Sequence, residues 1–357
     1  MTIPIQSRER VFVGLSGGVD SSVAALRLKQ RGYEVVGVFI KVWHPDFLVC
    51  NWEEERLDAM RVAAHLDIPF LTCDAEQAYQ DDVAKYFISE YTAGRTPNPD
   101  VMCNKHVKFG AFMDFARDHQ ADFIATGHYA RRTNGPSGPI LERGLDPNKD
   151  QSYFLWTLTP EQLAYTLLPV GDTIKDTIRS EAKAVGIPTA LKKDSQGICF
   201  LGHIDIKEFL ANYTDLNEGR VLSAKGEVIG THHGALVYTV GQRHGLTITT
   251  SAERRLPYYV VGKNIVDNTV TVSTVKPTLI TSETLLLTTT IFRAPLYVDQ
   301  SYQAQTRYRQ TPFMVRILQL SEHRMTLQPL EASDSVAIGQ SCVLYDGSVC
   351  LGGGIIA

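Results

Sequence analysis

The sequence predicts an α/β fold with a parallel sheet, followed by a small helical domain and a C-terminal β-barrel. Three observations carry that expectation. Apolar runs of strand length alternate with helix-period segments up to about residue 165. From there to about residue 218 the pattern is helical, and from Gly219 onward short β-branched runs recur between turn signals. The expected domains are therefore 1–165, 166–218 and 219–357.

Taken in order, Val11-Phe12-Val13-Gly14-Leu15 reads as a buried strand. The helix after it has Val23, Ala25, Leu26 and Leu28 for one face. Glu34 to Lys41 is a second strand, and Glu53 to Leu66 a helix with Leu57, Met60 and Ala64 three and four apart. Phe70 to Cys73 is a short strand and Asp81 to Tyr91 a helix. Lys105 to Arg117 is another helix, with Val107, Ala111 and Phe115 four apart, and Phe123 to Thr126 closes the series as a strand. Such alternation implies helices covering a parallel sheet, with ligands at the carboxyl ends of its strands. In the middle segment Asp172 is placed to cap a helix carrying Ile174, Ile178 and Val185, which Gly186 and Pro188 end. The runs Glu227–Ile229, Tyr258–Val261, Thr269–Ser273, Leu285–Thr290, Tyr302–Tyr308, Met314–Leu318 and Ser341–Tyr345 read as barrel strands.

Composition sets the class. The 357 residues are 44% hydrophobic and 21% charged, values of a water-soluble globular chain with two or three domains. The polar stretch Met1 to Arg10 leads straight into a strand and predicts no signal peptide. No apolar run approaches the ~20 residues of a membrane span. A cytoplasmic protein without a membrane partner is expected. Net charge is −4, so any nucleic-acid contact must use local patches such as Arg131-Arg132, Lys105 with Lys108, Arg254-Arg255, or Arg307 with Arg309. The six cysteines are scattered without a Cys-x-x-Cys, which argues against a structural zinc site or a locally bound iron–sulfur cluster.

Three segments carry chemistry. Ser16-Gly17-Gly18-Val19-Asp20-Ser21-Ser22 lies between a strand and a helix, where glycines, hydroxyls and a helix N-terminus suit a pyrophosphate. No Lys-Ser or Lys-Thr follows the glycines, so it is not a Walker loop. Gly94 to Lys105 is a loop stiffened by Pro97 and Pro99 that delivers Asp100 and Cys103 to a helix start. There, with Lys105 and His106 nearby, a thiol pKa is lowered and Asp100 could take or hold a proton; a helix cap and a buried small residue are the alternatives. In Asp194-Ser195-Gln196-Gly197-Ile198-Cys199-Phe200, a glycine and polar residues precede a cysteine. Alone, Cys199 reads as a core cysteine. Beside Cys103 and an ATP site it suggests a couple that passes on one sulfur and ends as a disulfide.

The Ser16–Ser22 string resembles the loop of the ATP pyrophosphatases, the PP-loop family. Over nearly its whole length the chain resembles the bacterial tRNA-specific 2-thiouridylases. The resemblance rests on Ser16–Ser22, Gly94–Lys105, Ala125–Tyr129, Asn148–Leu155, Asp194–Phe200, Gly241–Gly245, Arg307–Arg309 and Gln340–Gly354. It implies a PP-loop, adenine-nucleotide α-hydrolase-like first domain. Gly14, Leu15, Ser16, Gly17, Gly18, Val19, Asp20, Ser21, Ile40 and Gly127 would line the ATP site. Cys103 would be the nucleophile, Cys199 the persulfide carrier, and Asp100 a catalytic carboxyl. Asn98, Pro99 and Asp100 would meet the target base, and His128, Lys149, Asp150, Gln151, Arg307, Tyr308 and Gln340 would contact tRNA. Adenylation of the uridine C2 oxygen, with Mg²⁺ sharing the phosphate charge, would precede sulfur transfer. The implied partners are the tRNA anticodon arm, a persulfide-donor protein and a reductant for the Cys103–Cys199 disulfide. No resident metal site is expected. The chain departs from the family at Val42-Trp43-His44-Pro45-Asp46-Phe47, where Asn-Trp or Trp-Asp and acidic residues are usual, and Cys50 is given no role. The rival readings are an amide-forming synthetase, which would need neither cysteine, and a non-catalytic nucleotide- or RNA-binding protein.

Overall fold

β-branched and apolar runs separated by helices pair side by side into one parallel sheet. A computed structural model describes residues 8–48, 52–136, 138–193, 205–249 and 256–357. These divide into two units. One draws on 1–83, 100–202 and 346–351, the other on 84–99, 203–345 and 352–357.

In the first unit β1 (Arg10–Gly14), β2 (Glu34–Lys41), β3 (Phe70–Asp74) and β4 (Phe123–Ala125) follow in sequence. A hairpin of β5 (Ala130–Gly135) and β6 (Gly138–Arg143) comes next, and then a two-residue strand, β7 (Thr166–Leu167). The sheet order is β3-β2-β1-β4-β7, every pair parallel. Helices α1 (Val19–Gln30) and α2 (Trp52–His65) make the first two crossovers, and α3 (Lys175–Ala184) follows β7. After β1 the chain builds outward through β2 and β3, then returns to β1's other side with β4. That reversal opens a crevice at the carboxyl ends of β1 and β4, the place where such sheets bind ligands.

Val11 and Val13 of β1 are fully buried, and Val23, Ala24, Ala25 and Leu28 of α1 join Ile178 and Ala182 of α3 in the same core. Arg27 ties α1 to the α3 region through Glu181 at 2.5 Å, Asp172 at 3.1 Å and Thr173 at 2.8 Å. Asp172 is therefore not the helix cap that the sequence suggested; Ile174 holds that position without a side-chain cap. Helix α2 also differs from expectation. Leu57, Met60 and Ala64 face outward, while Ala59, Val62 and Ala63 are buried. The small inner residues let α2 approach the loop after β1 closely, which larger side chains would prevent.

Among the described residues the second unit contains two larger sheets and one short strand pair, so the β-rich region after Gly219 is divided among them. One has the order β10-β9-β8-β12-β11, built from β8 (Gly219–Leu222), β9 (Val228–His232), β10 (Thr247–Ile248), β11 (Tyr259–Asn264) and β12 (Thr269–Ser273). Val221, Ile229, Tyr238, Val260, Val270 and Val272 are its core. A short pair, β13 (Thr278–Leu279) and β18 (Ser333–Asp334), stands apart. The other sheet uses β14 (Leu285–Phe292), β15 (Ser301–Gln305), β16 (Phe313–Leu320), β17 (Arg324–Pro329), β19 (Ser341–Asp346) and β20 (Val349–Ile356). Pairing of β14 with both β17 and β20 closes these six strands into a barrel. At Gly353 of β20 a Cβ would lie 2.4 Å from the Cys342 carbonyl oxygen, and at Gly352 (φ +136°) 2.0 Å from that of Ile291. The glycine run is what lets the closing strand fit.

Candidate active site and nucleic-acid contacts

β1 ends at Gly14 and α1 begins at Val19, leaving four residues to turn the chain at the sheet's reversal point. Gly17 takes φ +69°, and a Cβ there would meet Asp58 Cβ at 2.7 Å and Ala59 N at 3.1 Å. Only glycine fits both demands. Gly18 is the α1 N-cap and brings no side-chain acceptor, so the first-turn amides of the helix have no protein side-chain cap. The serines brace the loop itself. Ser22 Oγ donates to the Gly18 carbonyl at 2.7 Å and Ser21 Oγ to the same oxygen at 3.2 Å, while Ser16 Oγ accepts from Gly18 N at 3.3 Å. Leu15 and Val19 are buried in the core, so only their backbones are available to a ligand. Across the crevice, a Cβ on Gly127 would lie 2.7 Å from Ser21 N, and Ile40 Cδ1 would be 3.4 Å from a Cβ on Gly14. The sequence-predicted nucleotide residues are thus brought together around one turn.

Asp20 sits in the first turn of α1, but its carboxylate is already engaged. Lys175 Nζ lies 2.7 and 2.8 Å from its two oxygens, and Tyr129 donates its hydroxyl to Oδ1 at 2.7 Å. Among the described residues no three His, Cys, Asp or Glu side chains gather as a metal cage. With Asp20 held by a lysine, this donor set does not fit a resident Mg²⁺.

Asp100 lies in the short helix Pro99–Met102, and Cys103 begins the wide π turns Cys103–Ala111 that continue it. Three positions apart on a helix, the two share a face. Burial raises the Asp100 carboxyl above the usual range, with Lys108 opposing. Cys103 is 2% exposed. His106, expected to help acidify the thiol, has its own pKa lowered by burial and by Lys105, which favours a neutral ring. Asn104 donates to the Phe154 carbonyl at 3.1 Å and fixes the turn after the cysteine. His128 is buried and pushed well below its ordinary pKa, first by burial and then by Lys108; its Nδ1 pairs with Thr126 Oγ1 at 2.8 Å.

Asp150 and Gln151 serve the scaffold. The Asp150 carboxylate accepts from Arg143 at 3.1 Å, Gly144 N at 2.9 Å, and Ser152 N and Oγ at 3.0 Å each. Gln151 Oε1 accepts from Tyr129 N at 2.9 Å, and its own amide donates to the Tyr129 carbonyl. Lys149 is half-buried. In the second unit, Gln340 Nε2 donates to the Thr96 and Pro97 carbonyls at 2.9 and 3.0 Å, bracing the loop that carries buried Asn98 and Pro99. Arg307 Nη2 donates to the carbonyls of Val240 and Ser335, both at 3.0 Å. Tyr308 lies under the Arg309 guanidinium at 5.0 Å. Cys199, Cys50, Arg254 and Arg255 lie outside the described residues.

A family model described as a tRNA methyl transferase HUP domain matches residues 9–203, and its PRC-barrel companion matches 207–274. An aminomethyltransferase β-barrel domain matches 288–356. Full-length relatives carry a different name. The tRNA-specific 2-thiouridylase MnmA of Vibrio cholerae is 44% identical over 98% of this chain and 96% of its own length. Those of Enterococcus faecalis and Lysinibacillus sphaericus are 42% and 43% identical, covering 98% of this chain and 96% and 94% of theirs. The chain belongs to the tRNA-specific 2-thiouridylase family. Membership spans both units, so the resemblance noted in the sequence holds across the molecule. What motif reasoning missed in this thiouridylase is the Lys175–Asp20–Tyr129 cluster. Tyr129 closes a motif already noted, but Lys175 is one lysine at a helix start, 155 positions from its partner, and nothing local in the sequence marks it.

Proposed function

We propose that this chain makes 2-thiouridine at the wobble position of tRNA, using ATP and releasing AMP and pyrophosphate. The observation that carries the reading is the glycine turn at the β1–β4 crevice, where Gly17 takes φ +69° and Gly18 leaves the first-turn amides of α1 without a side-chain cap. The C2 oxygen of uridine is a poor leaving group; attack of that oxygen on the α-phosphorus of ATP expels pyrophosphate and leaves an O-adenylate. Turn amides hold the departing pyrophosphate without a Walker lysine. Mg²⁺ is read as part of the ATP substrate, carried on its phosphates.

Sulfur arrives as a persulfide on Cys199, loaded by a donor protein. Its outer sulfur attacks C2 and AMP leaves. The Cys103 thiolate then attacks Cys199 Sγ, breaking the S–S bond and releasing 2-thiouridine. Alternatively, Cys103 attacks first and the freed sulfide displaces AMP. Both orders balance, because the sulfane sulfur gains the two electrons that the cysteines lose in forming the Cys103–Cys199 disulfide. A cellular reductant resets the pair. Asp100, with its raised carboxyl pKa, holds or takes the proton at the base. Residues 219–357 hold the anticodon arm, whose unpaired base enters the pocket at modest cost. The enzyme works in the cytosol. No described helix is long and apolar enough to cross a membrane.

The test is mass spectrometry of the wobble uridine after incubation of purified protein, unmodified tRNA, ATP and a sulfide source. The expected result is a gain of one sulfur in place of one oxygen, with AMP and pyrophosphate in step. ADP and orthophosphate as products would sink the assignment.

A further inference from the structure

An anion-binding loop that contains an acid needs an explanation. Asp20 is the one acidic residue from Gly14 through Ser22, and it occupies the first turn of the helix that faces the phosphates. Its Cβ would be 3.0 Å from a Cβ on Gly127, so it is wedged in the crevice between β1 and β4. An unpaired carboxylate there would repel a polyphosphate.

We infer that Lys175 is a positioning residue of the nucleotide site, holding Asp20 and cancelling its charge so that the loop accepts a triphosphate. The geometry is that of a built contact. Lys175 is the first residue of α3, and its own amide donates to Asp146 Oδ2 at 3.0 Å, which fixes where the side chain starts. The side chain is 9% exposed, and its ammonium meets both Asp20 oxygens. Nζ also lies 5.8 Å from the centroid of the Tyr129 ring, whose hydroxyl donates to the same carboxylate. Asp20 is the more exposed partner, at 30%. The lysine thus stands behind the carboxylate and acts through it. Burying an ammonium this deeply is tolerated only with such a partner.

This rests on the reading of the loop as an ATP site, and the test separates the two. Equilibrium binding of ATP, pyrophosphate and AMP is measured on the full chain without tRNA, for wild type, Lys175→Met, Lys175→Arg, Asp20→Asn and the Asp20→Asn/Lys175→Met double variant. Lys175→Met should weaken ATP and pyrophosphate at least about tenfold (about 1.4 kcal/mol) and AMP less than about threefold. Lys175→Arg should stay near wild type, and the double variant should recover most of the lost ATP affinity. Equal losses for ATP and AMP would reduce Lys175 to a structural role. A double variant as weak as Lys175→Met would show that it does not act through Asp20. If Lys175→Met does not fold, the double variant decides, because with both charges removed it should bind ATP within about threefold of wild type and a tenfold loss overturns the inference. Wild-type protein that binds no ATP overturns the functional reading instead.

Discussion

Burial moves two titratable side chains of the first unit in opposite directions, and each shift has a measurable sign. The Asp100 carboxyl is raised, because its charged form is disfavoured by burial more than Lys108 favours it. If it must be ionised to take a proton, kcat/KM should climb with pH through a midpoint above the ordinary carboxylate range. Asp100→Asn should remove that limb and lower the rate by about 10²–10⁴. A pH–rate profile of the two proteins checks this, and an unaltered acid limb in the variant would assign it to another group. His128 is lowered, so the unfolded chain binds a proton that the folded protein does not. Stability from this group is complete above about pH 6.5 and declines as pH falls below it, since the unfolded state takes up more protons there. His128→Gln should flatten the dependence of Tm on pH between about 5 and 6.5. An identical slope in wild type and variant would show that the ring ionises freely in the fold.

Elements approach one another most closely at glycines, and these contacts rank the site's tolerance to change. At Gly127 a methyl would meet backbone atoms, Ser21 N at 2.7 Å and Asp20 C at 2.8 Å, which cannot rotate away. Gly127→Ala should therefore cost about 1–3 kcal/mol and impair ATP binding by pushing β4 off the turn. Gly14→Ala meets only ordinary contacts of 3.4 Å and beyond, so its thermal stability without ATP should stay close to wild type. Thermal melts with and without ATP rank the two, and a destabilised Gly14→Ala beside an unharmed Gly127→Ala would contradict the crevice. The same packing explains what was legible. β1, the turn and α1 could be read directly because strand, glycines and helix start are contiguous. The buried face of α2 could not, since its apolar spacing pointed to Leu57 and Met60 while close approach selected alanines. β20 was missed because the glycines that barrel closure requires carry no strand signal. Lys175 was invisible for a further reason: its partner is set by sheet order rather than by neighbouring sequence.

At the scale of the whole molecule, the four described thiols are all buried, and their place in the fold rather than burial separates a candidate for chemistry from bystanders. Cys73 is pushed up to about 11 and Cys342 to about 12 by desolvation, so neither supplies thiolate near neutral pH. Cys350 is buried and its Sγ lies 3.9 Å from the Ser152 carbonyl. Cys103 is buried too, yet it shares a helix face with Asp100 at the end of a proline-stiffened loop. Cys199 lies 96 positions further along the sequence, and a disulfide demands that the two Cα atoms come within about 7 Å. If sulfur passes through this pair, Cys199→Ser should abolish thiolation while leaving ATP and tRNA binding nearly intact. Cys103→Ser should also stop turnover, since no thiol would remain to cleave the persulfide. Serine at Cys73, Cys342 or Cys350 should cost about 1 kcal/mol of stability and leave sulfur transfer in place. The check is a single turnover without reductant, with the peptides mapped by mass spectrometry: the bridge should join Cys103 to Cys199 and leave the other thiols free. Full activity of Cys199→Ser with a protein persulfide donor would end the relay, because sulfur would then reach the base without passing through this chain's second cysteine.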